Sequence, residues 1–200
     1  MFISITIRTV RKMTTDEALN LFRSTGALLD GHFILRSGLH SRQFFQCAMA
    51  LQQMPLVEQF GKALAEKAAI FGAKTVIAPA MGGLVIGQEV ARQLKLRFIF
   101  AEKEEGSLVL RRGFRISEGE PCLIVEDVVT KGGRVNETMD IVRSNKGVVA
   151  GVAMMVDRSN GQLNFDVPTA SLIRLEVETF DPTNLPTDLL SVPAVKPGSK

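Results

Sequence analysis

The chain has 200 residues, of which 46% are hydrophobic and 22% charged, with a formal net charge of +3. That length suits one well-cored domain and is short for two enzyme-sized ones. No apolar run reaches the roughly 18 residues of a membrane helix, and Lys and Arg are scattered rather than gathered into the basic runs of nucleic-acid binders.

The opening "MFISITIRTVRK" alternates apolar residues but lacks the charged, apolar, then small order of a signal peptide. Thr14 and Glu17 have capping-box spacing ahead of a helical pattern over 15–25. Met13, just before them, is therefore the expected native start, with 1–12 an extension. "GALLDGHFILRSGLHSRQFFQCAMAL" predicts two strands joined by a polar turn, and 13–50 is expected to form a small N-terminal hood. Pro55 suits the first position of a helix whose apolar face runs Leu56, Val57, Phe60, Leu64 and Ala68 and which stops at Gly72.

From there the pattern alternates. "TVIAPAMGG" predicts a strand ending in a glycine turn, with a helix from Leu84 to Leu94. "RFIFA" predicts a strand, "EKEEGSLVLRRGF" a charged hairpin-like excursion, and "CLIVEDVVTKGG" a strand and turn. A helix over 134–145 and a strand in "GVVAGVAMMVDR" follow, and the proline-bearing tail from Asp181 to Lys200 is expected to be an irregular cover. This order predicts an α/β fold, a parallel sheet with helices on both faces. Cys47 and Cys122 each stand in an apolar stretch, which offers neither a disulfide framework nor a CxxC metal site and fits a reducing cytoplasm.

In such sheets ligands gather at the C-terminal strand ends, where turns feed helix N-termini. "EDVVTKGGR" lies at one. Backbone N–H groups from Thr130 to Arg134 can wrap an anion, helped by the dipole of the next helix. Neither a P-loop nor a Gly-x-Gly-x-x-Gly turn is present, which weighs against ATPase and dinucleotide readings. Glu126 and Asp127 are too far along the chain to touch the same phosphate, but carboxylates accept from sugar hydroxyls and attract divalent metal. A ribose 5-phosphate fits the whole stretch. Read alone, the acids equally suit a strand end that caps the next helix.

"LIVEDVVTKGG" resembles the phosphoribosyl diphosphate (PRPP) motif of type I phosphoribosyltransferases, an apolar strand ending in two acids and a Thr- and Gly-rich phosphate loop. The wider chain, from Met13 to Lys200, is similar to the orotate phosphoribosyltransferase family. "GHFILRSGLHSRQFF" looks like that family's N-terminal signature, "APAMGG" its second turn, "LRRGF" part of its mobile loop and "DRSNG" its orotate-side turn. The resemblance implies the type I fold and transfer of phosphoribose from PRPP to orotate N1, in pyrimidine biosynthesis.

The resemblance assigns Glu126 and Asp127 to the ribose hydroxyls, and Val128, Val129, Thr130, Lys131, Gly132, Gly133 and Arg134 to the 5-phosphate stretch. Ala80, Met81 and Gly82 fall in the diphosphate turn, where some family members carry lysine at the position of Gly82. Lys103 is the expected loop cation, with Arg111 and Arg112 as further candidates, although Glu102, Glu104 and Glu105 surround it. Lys131 and Arg134 depart from the small or apolar residues usual in the phosphate turn, and the Arg134 side chain is expected to point out of it.

Thr130 is also placed near the base, with Arg158 paired to the orotate carboxylate, Arg36 near diphosphate and base, and Phe44 and Phe45 as an apolar wall. Read alone, Arg158 suits an exposed strand end and the phenylalanines plain core. His32 and His40 are read as structural or interface residues. The resemblance further implies Mg2+ held mainly by PRPP without direct protein ligation, and a homodimer whose loop reaches the partner's site. A phosphoribosyltransferase for a purine and a PRPP-binding regulatory protein with an RNA partner are the alternatives.

Overall fold

The computed structural model describes residues 13–35 and 37–197. Arg36 and residues 1–12, the expected extension, lie outside the described residues. Helix α1 (Thr15–Ser24) starts at the expected capping box: Thr14 accepts from the Glu17 N–H, and Glu17 accepts from the Thr14 N–H at 2.9 Å. Strands β1 (Leu28–Ile34) and β2 (His40–Phe45) form the expected antiparallel pair. A four-residue helix, α2 (Ala48–Leu51), leads into α3 (Met54–Ala68), which carries Pro55 in its first turn. A 3-10 turn then ends at Gly72, whose φ of 68° lies in the left-handed region.

The central sheet is built from β3 (Thr75–Pro79), β4 (Arg97–Glu104), β5 (Ser107–Leu110), β6 (Pro121–Val129), β7 (Val148–Asp157) and β8 (Thr169–Arg174). Its order is β5-β4-β3-β6-β7-β8, parallel except for the antiparallel β4–β5 hairpin. Strand β8 has no counterpart in the sequence reading. "TASLIR" contains one apolar pair, and only the pairing with β7 and the burial of Leu172 and Ile173 identify it as a strand.

Two helices complete the alternation, α4 (Gly83–Leu94) and α5 (Gly133–Ser144). Strand periodicity divides the core between the sheet's faces. Val76, Leu123, Val125, Ala153 and Met155 pack with Phe60, Leu64 and Val90 from α3 and α4, together with Phe22 of α1. Ile77, Ile99, Ile124, Val152 and Met154 pack with Val135, Met139 and Val142 of α5. Among the described residues no helix is long and apolar enough to cross a membrane.

The hood takes its third strand from the other end of the chain. Strand β9 (Thr179–Phe180) pairs antiparallel with β2. Beyond it α6 (Thr187–Leu190) and a bridge between Val195 and Phe33 fasten the C-terminal segment to β1. His32 and His40 are buried in this hood, their rings joined by a 2.5 Å contact, while His32 Nδ1 lies 2.8 Å from the Val192 carbonyl.

Candidate active site

The turns after β3, β6 and β7 meet at one edge of the sheet. At the end of β6, Glu126 is buried and Asp127 half-buried, Glu126 being the last of an unbroken buried run that starts at Cys122. Each carboxylate accepts a nearby backbone N–H: Glu126 Oε1 from Asp127 at 3.0 Å, and Asp127 Oδ1 from Val128 at 2.7 Å. Burial pushes the Glu126 carboxyl well above the usual carboxylate range, and the neighbouring Asp127 charge adds to the effect. The Asp127 N–H and the Arg134 charge offset part of it.

A cleft of about 280 Å3 runs from Glu126 past Thr130 to Glu137, bounded by the turn that joins β6 to α5. Within the described chain the N–H groups of Lys131 and Gly132 donate to no backbone carbonyl, and the first N–H groups of α5 have no intrahelical acceptor. The turn therefore presents a concave set of donors with the positive end of a helix behind it. Gly132, at φ 76°, makes the turn possible, since a Cβ there would lie 3.0 Å from the Phe165 ring and 3.1 Å from Leu163. Lys131 is exposed. Arg134 is exposed at the rim of the cleft, its guanidinium reaching Glu137 one turn along α5 at 3.5 Å.

Across the site, Arg158 stands just beyond β7. Its N–H donates to the Val129 carbonyl at 2.8 Å, which ties the ends of β6 and β7 together. The Arg158 Nε is buried and has no hydrogen-bond partner among the described residues, and burial pulls the guanidinium below its ordinary pKa. A buried guanidinium nitrogen without a partner is costly unless an acceptor meets it. Two residues that the sequence reading did not place in the site, Asp157 and Cys47, lie in this region. Asp157, only 4% exposed, accepts from the Ser159 N–H and hydroxyl and from Arg174 Nε. Cys47, at the start of α2, lies within electrostatic reach of Asp127, Glu126 and Arg158; burial pushes its thiol up, the two acids add to this, and Arg158 opposes it. The only available signal for Asp157 was an acid directly before an arginine at a strand end.

Phe44 and Phe45 lead into Cys47 from β2. Phe45 is buried against Phe22 at 4.7 Å between ring centroids, whereas Phe44 is half-buried beside Phe33 at 5.8 Å. Ala80, Met81 and Gly82 form the turn between β3 and α4, and Met81 is exposed. Lys103 sits on β4 opposite Leu108, exposed and without an ion pair among the described residues. Arg111 reaches Glu104 at 3.1 Å, and Arg112 reaches Glu102 at 3.0 Å, so both are engaged within their own hairpin. A larger cavity, about 570 Å3, lies away from these groups beside Arg42, Glu178 and Asp188 in the hood. Arg42 there already pairs with Glu178 and Asp188.

Residues 51–181 match the model of the phosphoribosyl transferase domain family. The chain is 47% identical over 188 residues to an orotate phosphoribosyltransferase of Desulforamulus reducens, covering 94% of this chain and 98% of that one. A relative of the same name from Pelotomaculum thermopropionicum is 48% identical, with coverage of 94% and 99%. Among solved structures, orotate phosphoribosyltransferase from Aeropyrum pernix matches with a TM-score of 0.66 and 22% identity, over 78% of this chain and 93% of that one. Adenine phosphoribosyltransferase from Thermoanaerobacter pseudethanolicus matches with a TM-score of 0.60 and 19% identity, over 66% and 88%, so this backbone alone does not select the base. Identity across nearly the full length of both partners does: the chain belongs to the orotate phosphoribosyltransferase family.

Proposed function

We propose that the chain transfers the 5-phosphoribosyl group from PRPP to N1 of orotate, giving orotidine 5′-monophosphate and diphosphate. The observation that carries this reading is the meeting, at one sheet edge, of an acid pair, an anion-wrapping turn and the buried, unpaired Arg158 Nε. In it, Thr130 to Arg134 hold the 5-phosphate and Ala80 to Gly82 the diphosphate. Glu126 and Asp127 take the ribose hydroxyls. With its carboxyl protonated, Glu126 donates to one hydroxyl while Asp127 accepts from the other. Arg158 pairs with the orotate carboxylate, while Phe44, Phe45, Thr130 and Arg36 surround the base.

Deprotonated orotate N1 is itself a good nucleophile, so the protein has no covalent step to perform. Its work is to align N1 with C1, to neutralise the leaving diphosphate, for which Lys103 is the free hairpin cation, and to stabilise positive charge developing at C1 beside the two acids. Among the described residues no group of three or more His, Cys, Asp or Glu side chains converges. Magnesium keeps several waters and binds substrate phosphates, so the ion would be held mainly by PRPP, without direct ligation by the chain. That ion supplies charge neutralisation at the diphosphate.

A homodimer in which the β4–β5 hairpin reaches the partner's site belongs to the same reading and is carried by family membership. Light scattering should then give about twice the 21.8 kDa chain mass. Two free, buried cysteines suit a cytoplasmic setting. The activity is tested by following loss of orotate absorbance with PRPP and Mg2+, with hypoxanthine, adenine and uracil in parallel. Turnover of orotate alone is expected, and turnover of a purine without orotate would overturn the reading.

A further inference from the structure

The connection from β7 to β8 starts at Arg158 and continues as a strap beside α5. In it Leu163, Phe165 and Val167 are half-buried against the core cluster that contains Val135, Met139 and Val142 of α5, while Gln162, Asn164, Asp166 and Pro168 are exposed. That two-residue alternation is the pattern of an extended chain lying on an apolar surface. The strap is fastened at its far end. Arg143 of α5 donates to both Asp166 carboxylate oxygens at 2.7 Å, and the Val152 N–H donates to the Pro168 carbonyl at 2.9 Å.

Within this strap Phe165 comes up against the turn between β6 and α5. A Cβ on Gly132 would lie 3.0 Å from both Cε1 and Cζ of Phe165 and 3.1 Å from Leu163 Cδ2, whereas a Cβ on Gly133 would meet nothing within 4 Å. Among the described residues the turn is therefore packed at Gly132 and open at Gly133. Its own hydrogen bonds do little to set its shape. The N–H groups of Lys131 and Gly132 donate to no backbone carbonyl, and the bond that returns to the turn from α5 runs from the Asn136 N–H to the Gly132 carbonyl at 2.9 Å. Donors kept free for an anion cannot also brace the loop, which leaves that task to the apolar side chains behind Gly132.

We propose that Phe165 is a positioning residue for 5-phosphate binding: its ring backs Gly132 and keeps the N–H groups of the turn converged on the open side. The proposal rests on the assignment of Thr130 to Arg134 to the 5-phosphate. Arg158, at the start of the same segment, is fixed separately, by its N–H bond to the Val129 carbonyl and by the Asp157–Ser159 turn around it. Loosening Phe165 should thus act on PRPP and spare orotate.

The test compares Phe165→Ala, Phe165→Leu and Val167→Ala by steady-state kinetics with each substrate varied, by calorimetric titration with PRPP and Mg2+, and by Tm. Val167 shares the strap and the core cluster but is not among the side chains nearest Gly132, so its variant reports the cost of loosening the strap alone. Phe165→Ala should raise both KM and Kd for PRPP roughly tenfold, the scale of one charge-assisted hydrogen bond lost from the turn. The orotate KM should hold, and Phe165→Leu should fall between Phe165→Ala and the parent. Val167→Ala should lower Tm and leave the PRPP constants unchanged. Unchanged PRPP constants in Phe165→Ala, an equal rise in its orotate KM, or an equal rise in the PRPP KM of Val167→Ala would overturn the proposal. A parent that does not bind PRPP removes the assignment of the turn and the proposal with it, a different result from a parent and a Phe165→Ala that bind equally well. Should Phe165→Ala fail to fold, Phe165→Leu decides: a raised PRPP KM with the orotate KM intact supports the buttress, and an unchanged PRPP KM sinks it.

Discussion

Asp157 and Ser159 clasp each other across Arg158: the carboxylate Oδ1 accepts the Ser159 N–H at 3.0 Å and its hydroxyl at 2.6 Å. Oδ2 meanwhile holds Arg174 Nε at 3.1 Å, anchoring the turn to β8. This arrangement sets the backbone from which the Arg158 guanidinium projects. Asp157→Asn puts an amide donor against Ser159 or Arg174 and should raise the orotate KM roughly tenfold, the scale of one lost charge-assisted hydrogen bond. The PRPP KM should hold, and Ser159→Ala should act in the same direction more weakly. Initial rates with each substrate varied in turn check this; an unchanged orotate KM would leave Asp157 with a packing role only.

Arg158→Ala removes the guanidinium itself. A charged partner lost from a desolvated site costs about 1.5–3 kcal/mol, so the orotate KM should rise on the order of ten- to hundredfold. The PRPP KM should change little. An unchanged orotate KM would take Arg158 out of the base pocket.

Glu126 should make stability depend on pH. Its folded-state pKa is raised above the ordinary 4.5, mainly by burial. Between the two values the native state holds a proton that the unfolded state has lost. The stabilisation is thus full below the unfolded value and drains away as pH rises through the folded one, by up to about 1.4 kcal/mol per pH unit. Glu126→Gln removes that slope. The Tm difference between variant and parent should move in the variant's favour as pH rises from about 5 upward. Parallel Tm-against-pH curves would contradict this account.

The hairpin cations should differ in their effect on turnover. Lys103 is free of ion pairs among the described residues, whereas Arg111 and Arg112 are engaged by Glu104 and Glu102. Lys103→Ala should lower kcat roughly ten- to hundredfold if it meets the leaving diphosphate. Arg111→Ala and Arg112→Ala should cost less, because each must first give up an acidic partner. A larger loss from either arginine than from Lys103 would reverse the assignment.

Thr14→Ala deletes the capping box of α1 and should cost about 1 kcal/mol, read as a lower Tm with kinetic constants intact.

Much of this architecture was legible in the residues because it rests on local physics. The capping box at Thr14 and Glu17, Pro55 in the first turn of α3, and the apolar runs of β3, β6 and β7 each state their own conformation. Strand β8 did not, since its conformation is decided by pairing with β7 rather than by its own apolar pattern. The hood was half legible: β1 and β2 follow from sequence, while β9 comes from about 135 residues further along the chain, and no local signal announces such a pairing.

The site divides in the same way. The sequence by itself determined which groups are available, an acid pair ahead of a glycine turn, a second glycine turn after β3, and an arginine at the end of β7, because ligand chemistry is written in residue types and strand ends. Only the tertiary structure decided what these groups meet. Among the described residues Arg158 Nε becomes buried without a partner, Arg134 pairs with Glu137, and the Asp127 carboxylate comes up against Gly82. Each of these depends on contacts between strands and turns far apart in sequence, made when the sheet brings their ends to one edge. The packing there is close enough that a Cβ at position 82 would lie 2.6 Å from the Asp127 carboxylate.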